Sequence, residues 1–541
     1  MTDDLARAFQ RTVVDPGFVR LRAAGATVVV GLLSAVSAAL IGGLSGESLD
    51  LVVLAVMLSL SYTQERAGAT IRQRLLGAVA LPVVAVAAGG VGALMVGLPV
   101  LAAVLFVLAM SGAIWVRRLG PTASRIGTLV ALPFVTVLVA PLPVRPSAFF
   151  PLWTALVALV VVAWVVIVGV LAQRFGILPR AVVPAPSAAP RAAGKRDHER
   201  EHGRGPERAP GEPAPRRALV STRMAVQMAA ALLVAFAVGY LFFGEHWPWV
   251  VLTAYLVSSG NRGRGDVVHK GVHRVLGALG GTIAATLLAL VARPGDAAIV
   301  VWIVIVLALA LWLRPVGYGW WAAGVTAALS LLNDYSGVSS QDALLVRLVA
   351  IVVGGVIAVA AAWLIMPVRT GDVLRRRTAE ALAALSAVIA AGRDEQELLE
   401  ERGHDFEVAV ARLEQLAPTL RAHRAIRLRD RGGVHRADVV ELVSLCRDPA
   451  RRYRRAVREH PGVVADGELR AESVALSRRL GALRRTLAGR ADDTDVAARR
   501  VVVQEGLRDP GAADVSEAFV ELLDLFGRLD EPIALLRRAR R

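Results

Sequence analysis

Residues 251–283 read VLTAYLVSSGNRGRGDVVHKGVHRVLGALGGTI: an apolar run, a basic loop, and a second apolar run that opens on Arg274-Val-Leu-Gly277. Residues 51–83, LVVLAVMLSLSYTQERAGATIRQRLLGAVALPV, follow the same order, and their second run opens on Arg74-Leu-Leu-Gly77. The offset of 200 residues between the two stretches is far longer than the period of a solenoid repeat. We therefore predict a duplicated bundle of membrane helices, an arrangement that many transporters use.

The apolar residues are unevenly distributed along the chain. Hydrophobic residues make up 55% of the sequence, and the mean hydropathy of +0.54 is too high for an ordinary soluble domain. A stretch rich in Pro and Arg separates two apolar regions, and a charged region with helical periodicity follows them. We predict a cytoplasmic N-terminus (1–19), a first transmembrane repeat (20–175), a disordered cytoplasmic linker (176–218), a second transmembrane repeat (219–367) and a cytoplasmic helical domain (368–541).

Twelve apolar stretches are candidate membrane spans, because a helix needs about 20 apolar residues to cross the hydrocarbon core. They are 22–42, 50–63, 75–96, 98–116, 126–142 and 151–173 in the first half, and 219–243, 247–260, 275–292, 297–313, 316–332 and 343–366 in the second. If all cross, the basic loops after 50–63 and 247–260 lie in the cytoplasm with the other Arg-rich loops, as the positive-inside rule requires. This favours crossing by those two spans, whose short length alone also fits a re-entrant segment.

The predicted fold class is an all-α membrane protein with two parallel six-helix repeats, about 12 transmembrane helices, and a cytoplasmic helical C-terminal domain. In that domain, helices are predicted over roughly 404–430, 435–459, 466–490 and 514–540. We expect a multi-pass protein of the plasma (inner) membrane with both termini in the cytoplasm. The sequence is compatible with a homo-oligomer.

The net charge of +17 and the pI of about 11.2 suit a protein that binds nucleic acid or anionic lipid. Arginines in cytoplasmic loops and in the tail account for this charge. We therefore expect the lipid bilayer as a partner, and no nucleic acid.

Enzyme signatures are sparse, so we predict no enzymatic activity, no catalytic residues and no cofactor. The glycine-rich stretch Gly260–Gly265 lacks the spacing of a dinucleotide loop and follows no strand, and the sequence contains no Walker A motif. His269 and His273 are four residues apart but have no third ligand nearby in the sequence, so no metal site is predicted. Cys446 is the single cysteine, which excludes an intrachain disulfide.

Two arginines at the ends of apolar runs are predicted to contact an anionic substrate. Arg274 occupies the point that matches Arg74 of the first repeat, and Arg347 begins the last span. An arginine in an apolar helix is energetically costly and often functional. The alternatives are that Arg274 is a cytoplasmic anchor, and that Arg347 reaches the outer interface or pairs with Asp334 or Asp342.

Aromatic and small residues complete the candidate site. Trp249 and Tyr255 are predicted to line a path for a flat ring, with an aromatic belt at the membrane interface as the alternative. Gly277 and Gly281 are four residues apart, a spacing that favours close packing against another helix.

The run His246-Trp-Pro-Trp-Val-Val-Leu-Thr-Ala254, a basic loop, and Arg274-Val-Leu-Gly-Ala-Leu-Gly-Gly281 resemble the fusaric-acid-resistance (FUSC) family, also called aromatic acid exporters. The resemblance covers about residues 20–370. The first copy keeps only Arg74-Leu-Leu-Gly77 and lacks the Trp. The resemblance implies two six-helix halves, a helical tail, and export of small, often aromatic, carboxylates across the inner membrane.

Three functions follow from these observations. The first is a plasma-membrane transporter that exports small organic anions, aromatic carboxylates in particular. The second is a passive organic-anion channel, which the lack of a carboxylate deep in any predicted span favours. The third is a membrane scaffold or sensor whose cytoplasmic tail binds a partner.

Overall fold

The computed structural model describes residues 18–45, 48–66, 71–139, 150–177, 220–290, 296–335, 341–394, 396–426, 434–464, 467–488 and 510–538. Residues 1–17 of the predicted N-terminal segment and nearly all of the predicted linker 176–218 lie outside these ranges. The described residues form helices and no strand, so the all-α prediction is confirmed for them. The chain divides into two compact units, Met1–Pro367 and Val368–Arg541.

The described residues of the first unit form twelve α-helices, and each predicted span overlaps one of them. They are α1 (Val19–Ser45), α2 (Ser48–Arg66), α3 (Ile71–Gly97), α4 (Pro99–Trp115), α5 (Pro121–Val139), α6 (Phe150–Arg174), α7 (Val220–Phe242), α8 (Trp247–Ser258), α9 (Arg264–Ala289), α10 (Ala297–Leu313), α11 (Tyr318–Tyr335) and α12 (Gln341–Leu364). Short 3₁₀ segments, Val116–Leu119 and Gly244–His246, follow α4 and precede α8.

Seven of these helices are long and apolar enough to cross a membrane: α1, α3, α4, α6, α7, α9 and α12, counted over the described residues. Shorter apolar stretches occur in α2, α5 and α10. Helix α8 has 12 residues, because Pro248 lies in its first turn and the chain becomes extended at Ser259. The crossing of the membrane by all twelve helices stays a prediction.

Corresponding helices pack together in the two halves of this unit. In the first half α1 contacts α2, α6 contacts α1, α2 and α3, and α5 contacts α3 and α4. The second half has the equivalent contacts, with α7 to α12 in place of α1 to α6. The halves also contact each other reciprocally, since α4 packs on α7 and α10 packs on α1. The parallel orientation of two repeats remains a prediction that this pattern supports.

Aromatic residues fill the junction between the halves. Phe106 of α4 contacts Phe134 of α5 and Phe236 of α7, with ring centroids 5.9 and 5.6 Å apart. Phe236 in turn contacts Trp247 at 5.5 Å. Such edge-on and tilted ring pairs add to the stability that burial alone provides. They place the start of α8 against α7, which fixes the position of Trp249 one half-turn later.

The second unit contains helices α13 (Thr370–Asp394), α14 (Leu399–Glu414), α15 (Ala417–Ile426), α16 (Arg436–Leu445), α17 (Arg447–Glu459), α18 (Gly467–Ala488) and α19 (Pro510–Arg538) among its described residues. The helices predicted over 404–430 and 435–459 are each divided in two. Pro418 lies in the first turn of α15 and Pro449 in that of α17. A proline is tolerated at a helix start but disrupts a helix interior, which explains both breaks.

Candidate functional site

Helices α9 and α11 approach each other closely because small residues line both surfaces. A Cβ atom added at Gly277 would lie 2.7 Å from the carbonyl oxygen of Gly319, and one added at Gly281 would overlap the carbonyl oxygen of Ala323. The two predicted packing glycines therefore lie where side chains would separate the helices. This contact brings Arg274, which lies well inside α9, against the middle of α11.

The side chain of Arg274 is buried inside the bundle, with 1% of its surface exposed. Its Nη1 donates hydrogen bonds to Thr326 Oγ1 at 3.2 Å and to the carbonyl oxygen of Ala322 at 3.4 Å. An anchor at the membrane surface would keep its guanidinium group in water. The burial of Arg274 therefore does not fit the anchor interpretation, and its contact with an anion stays a prediction.

The matching residue of the first half, Arg74, lies in a different environment. Its side chain is half-buried, and its carbonyl oxygen accepts a hydrogen bond from the Tyr62 hydroxyl at 3.0 Å. The Tyr62 ring lies 3.2 Å from the place where a Cβ of Gly77 would be. The Tyr62 ring therefore lies beside Gly77 in the first half, whereas the backbone of α11 lies beside Gly277 in the second half.

The side chain of Arg347 points into the bundle and is 3% exposed. Its Nη1 donates to Ser330 Oγ at 2.9 Å, and its Nη2 donates to the carbonyl oxygen of Thr326 at 3.2 Å. The guanidinium carbon lies 3.8 Å from the centre of the Trp249 ring, a cation–π contact. The two residues predicted for anion contact and ring stacking are therefore in direct contact with each other.

The structure tests two of the three alternatives for Arg347, the outer interface and pairing with Asp334, and leaves pairing with Asp342 a prediction. Its burial excludes a guanidinium group in the outer interface. Asp334 acts on it electrostatically, but within the described residues all of its hydrogen bonds go to neutral oxygens of α11. The side chain of Asp342 lies outside the described part of the chain.

The two guanidinium groups converge on Thr326, since Arg274 donates to its hydroxyl and Arg347 to its carbonyl oxygen. In the described part of the chain, Nε and Nη2 of Arg274 and Nε of Arg347 are buried without a hydrogen-bond partner. An unsatisfied buried donor is unfavourable, more so on a charged group. Guanidinium groups bind carboxylates through paired N–H bonds, so unpaired nitrogens of this kind are chemically suited to an anion.

Tyr255 lies apart from the arginine pair but belongs to the same series of polar side chains. It is buried at the other end of α8, in the neighbourhood of Tyr318 of α11 and of Arg117 of the first half. Tyr318 in turn lies in the neighbourhood of Arg274. Polar side chains are therefore present between Arg117 and the arginine pair.

Sequence reasoning missed Thr326, Ser330 and Tyr318. The signal for the first two was a pair of hydroxyls four residues apart in an apolar helix, which places them on one face. A hydroxyl in such a helix usually bonds to its own backbone, and Ser330 Oγ does donate to the carbonyl oxygen of Thr326 at 3.0 Å. Their contacts with Arg274 of α9 and Arg347 of α12 distinguish them from ordinary helix residues.

A second group of charged side chains lies in the second unit, and its carboxylates are already paired. The described residues hold no group of three or more His, Cys, Asp or Glu placed to bind a metal. A cavity of about 470 Å³ between α14 and α17 is lined by charged residues, namely Glu400, His404, Glu407, Arg451, Arg454, Arg455 and Arg458. Its two carboxylates already form ion pairs with Arg451, Arg454 and Arg458.

Residues 230–361 match the family described as fusaric acid resistance protein-like. The predicted resemblance is confirmed for this part of the chain, which contains Trp249, Tyr255, Arg274, Gly277, Gly281 and Arg347. No curated protein matches the chain. The family match and the long apolar helices together indicate a multi-pass membrane protein that acts as a membrane transporter.

Proposed function

We propose, on the premise that residues 230–361 form a fusaric acid resistance protein-like domain, that this protein exports small organic anions across the plasma membrane. Aromatic carboxylates are the proposed substrates. The observation that carries the proposal is the pair of buried guanidinium groups, Arg274 and Arg347, with unpaired N–H donors inside an apolar bundle. Two such cations attract anions and disfavour cations of any size.

The path that we propose begins at the basic loops, which the positive-inside rule puts in the cytoplasm. An anion would first meet Arg117 and Tyr255 and then reach Arg274, since Tyr318 lies in the neighbourhood of both Tyr255 and Arg274. Arg347 and Trp249 would hold it next, near the far end of α8. Release on the outer side would complete export.

The test is uptake of labelled 4-hydroxybenzoate into inside-out membrane vesicles. We expect wild-type vesicles to accumulate the label and Arg347→Gln vesicles to lose at least about 10-fold in uptake rate, because one charged hydrogen-bonding partner is worth about 1.5–3 kcal/mol. Arg118→Gln is the matched control, since Arg118 is exposed and stacks on Trp115 at 3.4 Å. Equal uptake by Arg347→Gln and Arg118→Gln would remove Arg347 from the transport path.

A passive anion channel is the second candidate function. It is favoured by the chemistry of the buried charges on the path, which are arginines and keep their proton throughout the physiological range. Currents through planar bilayers that follow the anion gradient and ignore a pH gradient would identify a channel. Uptake that stops when the proton gradient is collapsed would identify a coupled exporter.

The scaffold or sensor alternative predicts that the second unit carries the function. Cells that express residues 1–367 would then lose any resistance to toxic aromatic acids that the full chain gives. Resistance retained by residues 1–367 would contradict this alternative and support transport by the first unit.

A further inference from the structure

The arginine pair carries more positive charge than a single carboxylate can neutralise. Arg274 and Arg347 are both almost fully buried, and both bond to Thr326. In the described residues, their hydrogen bonds go to hydroxyl and carbonyl oxygens of α11, and Asp334 acts on Arg347 electrostatically without a hydrogen bond. Buried charges are normally paired, because desolvation without a counter-charge is highly unfavourable.

We propose that the preferred ligand of this site is a dianion, an organic molecule with two carboxylates that engage Arg274 and Arg347 together. This inference rests on the proposed function and names its substrate class more narrowly. Each guanidinium group retains a buried unpaired nitrogen, so each has a donor for its own carboxylate. Since both groups bond to one threonine, a ligand about the size of a single residue can reach both.

The ring of Trp249 shapes the site for this ligand. One face of the ring is covered by the Arg347 guanidinium group at 3.8 Å, so the ring orients this cation and is not free on that face to stack on a substrate. Recognition of the ligand therefore depends on its two charges and their separation. A flat aromatic body is compatible with the site but does not define it.

The proposal is tested with a pair of ligands that differ in one charge. Benzene-1,3-dicarboxylate and its monomethyl ester share a ring and nearly a shape, and at pH 7 they carry two charges and one, because carboxylates titrate near pH 4. Each competes with labelled 4-hydroxybenzoate for uptake into wild-type inside-out vesicles. We expect the dicarboxylate to inhibit at an at least about 10-fold lower concentration than the ester, as one additional charged contact provides.

Variants then test whether the preference for a second carboxylate depends on the two arginines. We expect the ratio of the inhibitory concentration of the ester to that of the dicarboxylate to fall to near one in Arg274→Gln and in Arg347→Gln. Arg274→Lys and Arg347→Lys keep the charge and should retain part of the wild-type ratio. Ligand-induced thermal stabilisation of the detergent-solubilised full chain gives the same ranking without transport. The wild-type comparison does not depend on the folding of any variant.

The outcomes separate this inference from the proposed function. Equal inhibition by the dicarboxylate and the ester overturns the dianion inference and leaves an exporter of monoanions. Steep inhibition by the ester, with a Hill coefficient near two, shows two monoanions in the site and also overturns it. Absence of binding and transport for every carboxylate overturns both.

Discussion

At the scale of residues, the site depends on side chains that reach one another from different helices. Arg347 could be chosen from the sequence because a charge in an apolar helix is unusual. Its partners could not be chosen in this way. Thr326 and Ser330 resemble ordinary helix hydroxyls until the arginine side chains of α9 and α12 reach them. Trp249 could be assigned to a ring-binding path or to an interface belt. The sequence identifies the arginine whose burial is energetically costly, but only the packing of the helices identifies the residues that it contacts.

Replacement of Trp249 tests whether its ring positions Arg347. Trp249→Leu removes the ring face under the guanidinium group, and we expect KM for 4-hydroxybenzoate uptake to rise between about 2- and 30-fold, since such contacts contribute about 0.5–2 kcal/mol. Trp249→Phe, which keeps a smaller aromatic face, should lie between Trp249→Leu and wild type.

Trp363→Leu provides the control for this series, because it removes a similar stacking pair, Arg264 over Trp363 at 4.6 Å, near the other end of α12 from Arg347. Its KM should equal that of wild type. A KM for Trp249→Leu that is no higher than that of Trp363→Leu would contradict a positioning role.

At the scale of elements, α9 shows how glycine spacing sets the distance between two helices. The sequence predicts that Gly277 and Gly281 pack against another helix, but it does not say which one. The structure shows α11 as that helix, with the backbone of Gly319 and Ala323 at the contact. Gly280, one position before Gly281, faces open space, so adjacent glycines have different surroundings.

Paired alanine substitutions in α9 measure this contact. Gly281→Ala should destabilise the first unit by about 1–3 kcal/mol, because the added methyl group overpacks the contact with Ala323. Gly280→Ala should be neutral or stabilising by up to about 1 kcal/mol, because alanine is the better helix former. Thermal unfolding of the two variants in detergent compares them, and equal midpoints would contradict the close contact.

Helix α16 provides a second prediction at this scale, through the histidine that caps it. His435 Nδ1 accepts a hydrogen bond from the backbone N–H of Ala437 at 3.1 Å, which requires that this nitrogen be unprotonated. Burial, together with the neighbouring His423, lowers the pKa of His435 below its usual value. The cap is therefore fully formed above about pH 6.5, and its stabilisation is lost as the pH falls through the lowered pKa of the folded state.

Hydrogen exchange at residues Arg436–Leu445 of the full chain tests the cap. Between pH 7.5 and pH 5, after correction for intrinsic rates, protection should decrease by about 1 kcal/mol in wild type. His435→Asn keeps a capping acceptor that does not titrate in this range, so its protection should not change with pH. The same decrease in His435→Asn would assign the pH dependence to other groups.

At the scale of the whole molecule, composition and charge predict the positions of the helices better than they predict the contacts within the site. The apolar runs located each of the twelve helices of the first unit among the described residues, because burial in lipid requires long apolar segments. The reciprocal packing of α4 on α7 and of α10 on α1 could not be predicted, since lipid-facing and protein-facing residues are equally apolar. In the second unit, the apolar periodicity continues across Pro418 and Pro449 and predicts two helices where the prolines start new ones.

Cysteine labelling in intact cells tests the predicted orientation. The native Cys446 is fully buried, and burial raises the pKa of its thiol to about 12, so it should not react with maleimides near neutral pH. In this background, Glu245→Cys should react with a membrane-impermeant maleimide in intact cells, and Arg262→Cys only after permeabilisation. The reverse result would invert the topology and replace export with uptake.

The buried arginine pair has a consequence for the lifetime of the protein in the cell. A carrier whose buried guanidinium nitrogens lack hydrogen-bond partners among the described residues is least stable when empty, and a bound anion stabilises it by mass action. Membrane proteases remove unstable forms preferentially. At a constant rate of synthesis, a cell that accumulates the anion should therefore retain more copies of the carrier, so that its abundance follows demand without a change in transcription.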